Sequence, residues 1–335
     1  MNPISSTTPH QSDVSAVDDR IAEYRSLGQT GLRVSALGFG ASALGGVFHA
    51  VQERDCIRTV HTALEAGVNF LDVSPYYGLT KAETMLGKAL RGIPRDRYIL
   101  ATKCGRYGEN YFDFSAPRIT ASVEESLQRL RCGHIDLIQC HDIEFVSLRQ
   151  IVNETIPALQ KLRQTGKVRF IGITGLPLKI FTEVAARVPL DTIMSYCRYT
   201  LFDTSLLTIV PAMQKRGIGI INAAPISMGL LSDRGPPAWH PAPAAIQKAC
   251  AEAAALCRTK GGSLAKLAVQ FAVAEPRIAT TVVGTANPEN FHSNCRWIHE
   301  PIDQDLLALV RKVLAPIHNQ TWPSGLPDNH DEDIA

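Results

Sequence analysis

The sequence NFLDVSPYYG at residues 69–78 begins with apolar residues and changes to polar ones at Asp72, with Tyr77 close behind. Two further runs repeat this change and end on Lys103 and His141: YILATK at 98–103 and IDLIQCH at 135–141. Because a charge is costly inside a buried strand, we expect each ionisable residue at the carboxyl end of its strand. In a parallel α/β barrel those ends all face one way and carry the active site. The four side chains are therefore predicted to meet at one mouth.

Eight short apolar runs alternate with helical segments from Val34 onwards. They are VSALGFG (34–40), NFLDVS (69–74), YILATKCG (98–105), IDLIQCHD (135–142), VRFIGITG (168–175), TIMSYC (192–197), GIGIINAAP (217–225) and IATTVVGT (278–285). Strands that alternate with helices pair in parallel through right-handed crossovers, and eight such units favour closure into a barrel. The sequence predicts a single (β/α)8 TIM barrel with an extra helix between strands 7 and 8 and a C-terminal helix.

The domain organisation follows from the composition of the two ends. Residues 23–326 form the predicted barrel, since no interior linker divides them. Residues 1–22 are rich in Ser and Thr but also carry acids, which predicts a disordered N-terminal tail rather than a transit peptide. Residues 327–335 form an acidic polar tail that is expected to have little to pack against.

Charge and cysteine usage exclude several classes of function. The net charge of +2 over 335 residues comes from interspersed acids and bases, which disfavours a nucleic-acid partner. The sequence has no apolar run of about 18 residues and no signal-peptide core, so we expect no membrane span and a cytoplasmic protein. None of the eight cysteines stands in a CxxC pair, which is typical of reduced thiols and disfavours a metal site. Cys104 and Cys140 adjoin candidate catalytic residues; small packing residues are the favoured interpretation, with oxidant sensitivity as the alternative.

A glycine motif offers an alternative fold. GFGASA at 38–43 matches the GxGxxA fingerprint of doubly wound dinucleotide-binding domains. In that fold a helix begins within the motif, but here helical periodicity starts only near Glu53. Asp72 also stands well beyond the roughly 20 residues at which the ribose-binding acid is expected. The barrel is therefore favoured, with the glycines allowing a ligand to approach the first strand.

The four ionisable residues together suggest proton transfer. A free tyrosine titrates near pH 10 and is a poor base at neutral pH. Lys103 next to the phenol of Tyr77 is expected to favour the phenolate, and Asp72 to keep the lysine charged. A neutral His141 is suited to hydrogen-bonding the reacting oxygen. This set fits removal of a proton from an alcohol while a hydride leaves its carbon, or the reverse.

These residues and four further motifs resemble the aldo-keto reductase superfamily of NAD(P)-dependent oxidoreductases. The motifs are GLRVSALGFG, NFLDVSPYYG, ATKCGR and GKVRFIGITG. The resemblance implies that Asp72, Tyr77, Lys103 and His141 are the catalytic tetrad, on a (β/α)8 barrel that is monomeric by default. A regulatory cofactor-binding protein, like the potassium-channel β subunits of the same fold, is an alternative.

The resemblance also implies where the cofactor binds. NADPH-using members place Lys and Arg after the eighth strand, where this chain has Gly284 and Asn290, so NAD is predicted over NADP. The pair that holds the nicotinamide amide in many members is Thr174-Gly175 here, and Ala223 stands where an aromatic residue usually stacks on the ring. The remaining implied cofactor contacts are Pro225, Thr285 and Asn294.

Within the superfamily the resemblance is strongest to plant sugar dehydrogenases and implies a sugar substrate. The expected reaction is oxidation of the C1 hydroxyl of L-galactose to the lactone, a step of ascorbate biosynthesis. Tyr76, Asp142 and Glu144 are candidate substrate contacts, with a solvated loop charge as the alternative for the two acids. Trp239 and Trp322 are interpreted as packing residues. L-Fucose, D-arabinose or pyridoxal are alternative substrates.

Overall fold

The protein is a closed barrel of eight parallel strands, in a computed structural model that describes residues 23–331. A hairpin of two short strands, β1 (Tyr24–Ser26) and β2 (Arg33–Ser35), precedes it. The barrel strands are β3 (Leu37–Gly40), β4 (Phe70–Asp72), β5 (Ile99–Cys104), β6 (Ile135–Cys140), β7 (Val168–Gly175), β8 (Thr192–Tyr196), β9 (Gly219–Ala223) and β10 (Thr280–Gly284). They neighbour one another in chain order, and β10 pairs with β3 to close the ring. The prediction of a (β/α)8 barrel is confirmed.

Helices follow the barrel strands and pack around them. They are α1 (Glu53–Glu65), α2 (Lys81–Ala89), α3 (Ala116–Leu130), α4 (Leu148–Gln150), α5 (Ile156–Gln164), α6 (Lys179–Ala185), α7 (Val210–Lys215), α8 (Ala244–Thr259), α9 (Leu264–Val273), α10 (Pro288–Trp297) and α11 (Gln304–Leu314). A π-helical turn at Ile151–Thr155 joins α4 to α5. The predicted extra helix between the last two strands is α8, and it shares a buried apolar cluster with the carboxyl-terminal helix α11.

The β1–β2 hairpin closes the end of the barrel opposite the carboxyl ends of its strands, and it was not expected from the sequence. Leu27, in its turn, joins the apolar cluster inside the barrel. Gly28 has a φ of +54° and packs so tightly that an added Cβ would lie 2.4 Å from the oxygen of Gly217. Arg25 donates hydrogen bonds to the backbone oxygens of Val273, Glu275 and Ile278. Leu27 fills the interior and Arg25 bonds to the neighbouring backbone, so the hairpin covers this end of the barrel.

The glycine motif after β3 does not begin a helix of the doubly wound kind. A short 3-10 turn covers Ala41–Gly45, and α1 begins only at Glu53. Without a long helix starting at the motif, no helix N-terminus faces a pyrophosphate there. The closed barrel therefore excludes the doubly wound fold as the alternative.

Parallel pairing brings the ends of the central strands to one mouth. In the register, Asp72 lies opposite Ala101, and Lys103 lies opposite Gln139. His141 directly follows β6, and its backbone nitrogen bonds to the oxygen of Cys104. The fold therefore places these ionisable residues on adjacent strand ends.

Two further predictions concern the N-terminal tail and membrane-spanning helices. The predicted disordered tail at 1–22 lies outside the described residues, as do residues 332–335. Within residues 23–331, no helix is long and apolar enough to cross a lipid bilayer.

Candidate active site

Lys103 lies in a buried ion pair at the barrel mouth. Its Nζ donates to Asp72 Oδ2 at 2.5 Å and to the backbone oxygen of Val73 at 2.9 Å. Gln139 Nε2 donates to the other carboxylate oxygen of Asp72 at 3.0 Å. Burial alone would lower the pKa of Lys103, but the Asp72 carboxylate outweighs it and raises that pKa above its ordinary value. The lysine therefore stays an ammonium, and Gln139, which sequence reasoning missed, holds its partner.

Tyr77 lies beside Lys103 with its ring half-buried. The ammonium is 4.8 Å from the centre of the phenol ring, and the imidazole of His141 is 5.5 Å away in an edge-to-face arrangement. Burial raises the pKa of Tyr77 to about 12, although the charge of Lys103 acts in the opposite direction. Lys103 acts in the expected direction and favours the phenolate, but in the free protein desolvation of the phenol outweighs the lysine. The phenol is held protonated in this state.

His141 is buried and neutral. Burial lowers the pKa of its imidazole to about 3, and the charges of Lys103 and Arg106 act in the same direction. Its Nδ1 lies 2.9 Å from the hydroxyl oxygen of Ser74. Its Nε2 lies 3.6 Å from Asp142 Oδ2. The ring is thus held between a hydroxyl on one side and a carboxylate on the other.

Asp142 is part of the pocket wall and not a solvated loop charge. It has a φ of 52° and is only 6% exposed. Its Oδ2 accepts a 2.5 Å bond from Arg106 Nη1, and its Oδ1 accepts a 3.2 Å bond from Thr174 Oγ1. Burial raises its pKa, but the charge and the hydrogen bond of Arg106 act in the opposite direction, and the pKa lies below its ordinary value. The carboxylate is therefore ionised.

Arg106 was missed by the sequence reasoning. Its guanidinium lies 4.1 Å from the ring centre of Tyr76, and it also contacts the rings of Phe112 and Phe145. Stacking of this kind stabilises a partly desolvated cation. The available signal was a basic residue just beyond the end of β5, three residues after Lys103. Tyr76 and Asp142, both predicted as substrate contacts, meet through this arginine.

Glu144 is fully buried behind the mouth. Its Oε1 accepts hydrogen bonds from Leu176 N at 3.1 Å, Ser324 Oγ at 3.1 Å and Tyr196 OH at 3.4 Å. Burial raises its pKa to about 8, and the nearby charge of Asp142 adds to the rise. Glu144 is therefore a buried acid whose contacts come from residues distant in the sequence.

Glu144 also explains why residue 175 has no side chain. A Cβ on Gly175 would lie 2.6 Å from Glu144 Oε2 and 2.3 Å from Ile180 Cδ1. A larger residue at 175 would require the ends of the Glu144 and Ile180 side chains to move. The carboxyl group of Glu144 thus fills the space in which a residue-175 side chain would lie.

The described part of the polar tail at 327–335 is packed, contrary to expectation. The side chain of Asn329 donates a 2.8 Å bond to the backbone oxygen of Glu144. Asp331 Oδ1 accepts a 2.9 Å bond from Lys179 N at the start of α6. Polar residues can be held against a fold when their partners are free backbone groups. The segment therefore braces the loop that carries Glu144.

The residues predicted to bind cofactor lie around the same mouth. Thr174 is buried, Thr285 is partly buried and Asn290 is exposed. Gly40 and Gly284 lie side by side at the ends of β3 and β10, and a Cβ on Gly284 would lie 2.9 Å from Gly40 O. The remaining members have these positions: Ala223 ends β9 and is partly buried, while Gly175, Pro225 and Asn294 are buried.

This edge of the mouth fits a nicotinamide dinucleotide. The adjacent glycines leave room for close approach to the backbone. The helix α10 begins just beyond, at Pro288, with its N-terminus next to the edge, and helix N-termini favour phosphate groups. After β9, Ala224, Ser227 and Met228 all adopt left-handed backbone conformations. Such strain in residues other than glycine is concentrated at ligand sites.

The remaining candidates are packing residues. Trp322 is buried and meets the ring of His240 edge-to-face at 5.1 Å, whereas Trp239 is 53% exposed and contacts Phe48 at the surface. Cys104 and Cys140 are fully buried in register on β5 and β6. The hydrogen bond with the thiol of Cys140, together with burial, raises the pKa of Cys104, which disfavours the reactive thiolate. Among residues 23–331, no group of three His, Cys, Asp or Glu side chains is arranged to hold a metal ion.

Comparison with known proteins gives three close similarities besides a family match. The aldo/keto reductase family model matches residues 36–315. L-Galactose dehydrogenase of Arabidopsis thaliana is 51% identical over 316 residues, covering 92% of this chain and 99% of the relative. D-threo-Aldose 1-dehydrogenase of a Pseudomonas species is 30% identical, covering 85% and 97%. The holo form of an aldo-keto reductase from Bacillus halodurans has a TM-score of 0.74 at 27% identity, covering 92% and 99%.

Proposed function

Because this chain belongs to the aldo/keto reductase family, we propose that it oxidises the C1 hydroxyl of L-galactose to the lactone with NAD⁺. The substrate assignment rests on one observation: this chain is similar, along nearly the whole of both chains, to L-galactose dehydrogenase of Arabidopsis. The charged cluster at the barrel mouth supports the type of reaction. In that role the protein supplies a lactone precursor of ascorbate.

The proposed mechanism assigns one task to each member of the cluster. The residues around Gly40, Gly284 and the start of α10 would hold an oxidised nicotinamide cofactor, which would supply the hydride acceptor for the reaction at C1 of the sugar. Tyr77 first loses its proton to solvent, and the ammonium of Lys103 stabilises the resulting phenolate. The phenolate then takes the proton of the C1 hydroxyl as the hydride leaves C1, and Tyr77 returns to the neutral phenol. Asp72 keeps Lys103 charged and in place through their 2.5 Å bond. His141 donates a hydrogen bond to the reacting oxygen and holds it near Tyr77.

The pH at which Tyr77 acts depends on its surroundings. Its pKa of about 12 in the free protein is set first by burial, so the base form must be favoured by positive charge close to the phenol. Lys103 supplies one such charge at all neutral pH values, because its own pKa is raised by Asp72 despite burial. In this buried position the charge of Lys103 acts on the phenol of Tyr77 with little screening by water.

The substrate wall combines donors and acceptors that suit a polyhydroxylated molecule. Arg106 offers several N–H donors, Asp142 offers an ionised acceptor, and Tyr76 offers an aromatic surface beside them. Sugar hydroxyls both donate and accept, so a mixed wall satisfies them better than an apolar one. We propose that this wall binds the sugar hydroxyls other than the one at C1.

The preference for NAD over NADP rests on the first turn of α10. Asn290 is exposed there without a charge, and the neighbouring Glu289 is 78% exposed and negative. Glu289 forms a 3.7 Å ion pair with Arg58, and positions 284 and 290 carry no cation that could pair with a 2′-phosphate. Removal of charge-assisted bonds costs about 1.5–3 kcal/mol each, which is enough to decide between the two cofactors.

We place the protein in the cytoplasm as a monomer. All eight cysteines are free thiols in the structure, which is in keeping with a reducing compartment. We also propose that the barrel domain spans residues 23–326.

A related aldose is the second candidate substrate, favoured by the similarity to D-threo-aldose 1-dehydrogenase. The test is the initial rate of NADH formation with L-galactose, L-fucose, D-arabinose and pyridoxal, each with NAD⁺ and with NADP⁺. The highest kcat/KM with L-galactose and NAD⁺ supports the proposal. A higher value with another aldose moves the assignment to that sugar, and absence of turnover with every compound contradicts it.

A further inference from the structure

Ser74 is a buried serine in direct contact with the imidazole of His141. Its hydroxyl oxygen lies 2.9 Å from His141 Nδ1 and accepts a 3.1 Å bond from the backbone nitrogen of Tyr76. The residue is completely shielded from solvent. Asp72 and Ser74 stand two residues apart, so in an extended segment they face the same side.

The hydroxyl has a single hydrogen, and its possible acceptors are few. Tyr76 N already donates to the oxygen, and His141 Nδ1 is the other contact that the structure gives this hydroxyl. If Nδ1 carried the ring proton, the buried hydroxyl hydrogen would be left with no acceptor among the described residues. If Nδ1 carries the lone pair instead, the Ser74 hydroxyl donates to it, and both the hydroxyl hydrogen and Nδ1 have a hydrogen-bond partner.

The opposite side of the ring favours the same arrangement. Asp142 Oδ2 lies 3.6 Å from His141 Nε2, and Asp142 is ionised through its bond with Arg106. A carboxylate attracts an N–H and repels a lone pair. Lys103, Arg106, Tyr76 and Tyr77 also face the ring. Burial, together with the charges of Lys103 and Arg106, keeps the ring neutral and so leaves one ring proton to be placed.

We propose that Ser74 is a positioning residue that holds His141 in the Nε2–H tautomer, so that the ring donates its hydrogen bond to the substrate oxygen. In the other tautomer the lone pair of Nε2 faces the lone pairs of that oxygen, and the substrate is repelled where the reaction occurs. The catalytic part of this inference rests on the proposed function, whereas the tautomer itself is a property of the free protein.

The direct test is the tautomer of His141 in the protein without cofactor or substrate. Long-range ¹H–¹⁵N spectra of ¹⁵N-histidine-labelled protein separate the two tautomers by the shifts of the two ring nitrogens, and a His141→Asn variant identifies the signal. The wild type is expected to show Nε2–H. Ser74→Ala is expected to show loss of the single tautomer, and Ser74→Thr, which keeps the hydroxyl, to restore it. Nδ1–H in the wild type would overturn the proposal.

Kinetics supply the second readout. Ser74→Ala is expected to lower kcat on the order of 10- to 100-fold with unchanged NAD⁺ binding, because only the orientation of one donor is lost. Ser195→Ala is the control, since Ser195 is an equally buried serine whose hydroxyl has no partner in the described structure. Equal kcat values for Ser74→Ala and Ser195→Ala would contradict a role for the tautomer.

The two experiments also separate this inference from the proposed function. If no aldose is oxidised by the wild type but the spectra show Nε2–H that is lost in Ser74→Ala, the proposed function fails and the tautomer assignment stands. If L-galactose is oxidised while the tautomer is unaffected by Ser74→Ala, the proposed function stands and the inference on Ser74 fails.

Discussion

Lys103 and Asp72 form a 2.5 Å ion pair in which neither side chain is more than 4% exposed to solvent. The pair is completed by Gln139, which donates to the second oxygen of Asp72 at 3.0 Å. Two buried charges of opposite sign stabilise each other only while both are present. This pair therefore places two charges at the centre of the cluster at the barrel mouth, and loss of either charge is expected to destabilise the fold.

Replacement of Lys103 by Met tests the pair. It leaves the carboxylate of Asp72 buried without a counter-charge, so the free energy of unfolding is expected to fall by about 3–5 kcal/mol. Urea denaturation measures the change. The control is Lys88→Met, which breaks the 2.7 Å pair with Glu53 on the surface, where both side chains are more than a third exposed. That loss is expected to be about 1 kcal/mol or less, and equal losses would show that the buried pair has no special importance.

Replacement of Tyr77 by Phe tests the proton transfer. Without the phenol oxygen, turnover is expected to fall by about 10²- to 10⁴-fold, while the dissociation constant for NAD⁺ stays the same. Initial rates and quenching of tryptophan fluorescence by the cofactor measure the two quantities. Tyr111→Phe, at an exposed tyrosine, is the matched control. Turnover near the wild-type value in Tyr77→Phe would remove Tyr77 from the mechanism.

Glu144 predicts how stability depends on pH. Its pKa is raised by burial to about 8, so between its ordinary value and that value the folded state holds a proton that the unfolded state has lost. Stability is therefore expected to fall as pH rises through this window, by up to about 1.4 kcal/mol per pH unit from this group.

The comparison of Glu144→Gln with the wild type isolates that contribution. Glutamine keeps the size of the side chain and does not titrate, so the loss of stability between roughly pH 5 and pH 8 is expected to be smaller in the variant. Urea denaturation at several pH values gives both curves. Parallel curves would mean that Glu144 is already ionised in the folded protein at neutral pH.

Replacement of Asn290 by Arg tests the cofactor preference. An arginine on the exposed first turn of α10 can pair with a 2′-phosphate, and kcat/KM with NADP⁺ is expected to rise by roughly 10-fold or more. Asn290→Gln, which adds length without charge, is the control. Gly284→Lys is a poorer test, because its Cβ would lie 2.9 Å from Gly40 O and strain the β3–β10 edge. A wild type that already prefers NADP⁺ would contradict the charge argument.

The order of the barrel strands and the meeting of the four ionisable residues were predictable from the sequence. Asp72, Lys103 and His141 each end an apolar run, and parallel pairing leaves only one place for such ends. The β1–β2 hairpin was missed because its three-residue strands carry too few residues for a periodic pattern. Ser74 was missed because a serine after a strand is common and its partner lies 67 residues away.

The sequence by itself determined the barrel, the end of the barrel at which the ionisable residues meet and the types of group found there, because local periodicity and the cost of buried charge decide those features. Only the tertiary structure decided how the groups behave. Arg106 reaches Asp142 across 36 residues, and Ser324 reaches Glu144 across 180. The direction of the Tyr77 pKa shift depends on whether burial or the charge of Lys103 is the larger effect. Desolvation is set by every atom around a group, and those atoms come together only in the folded chain.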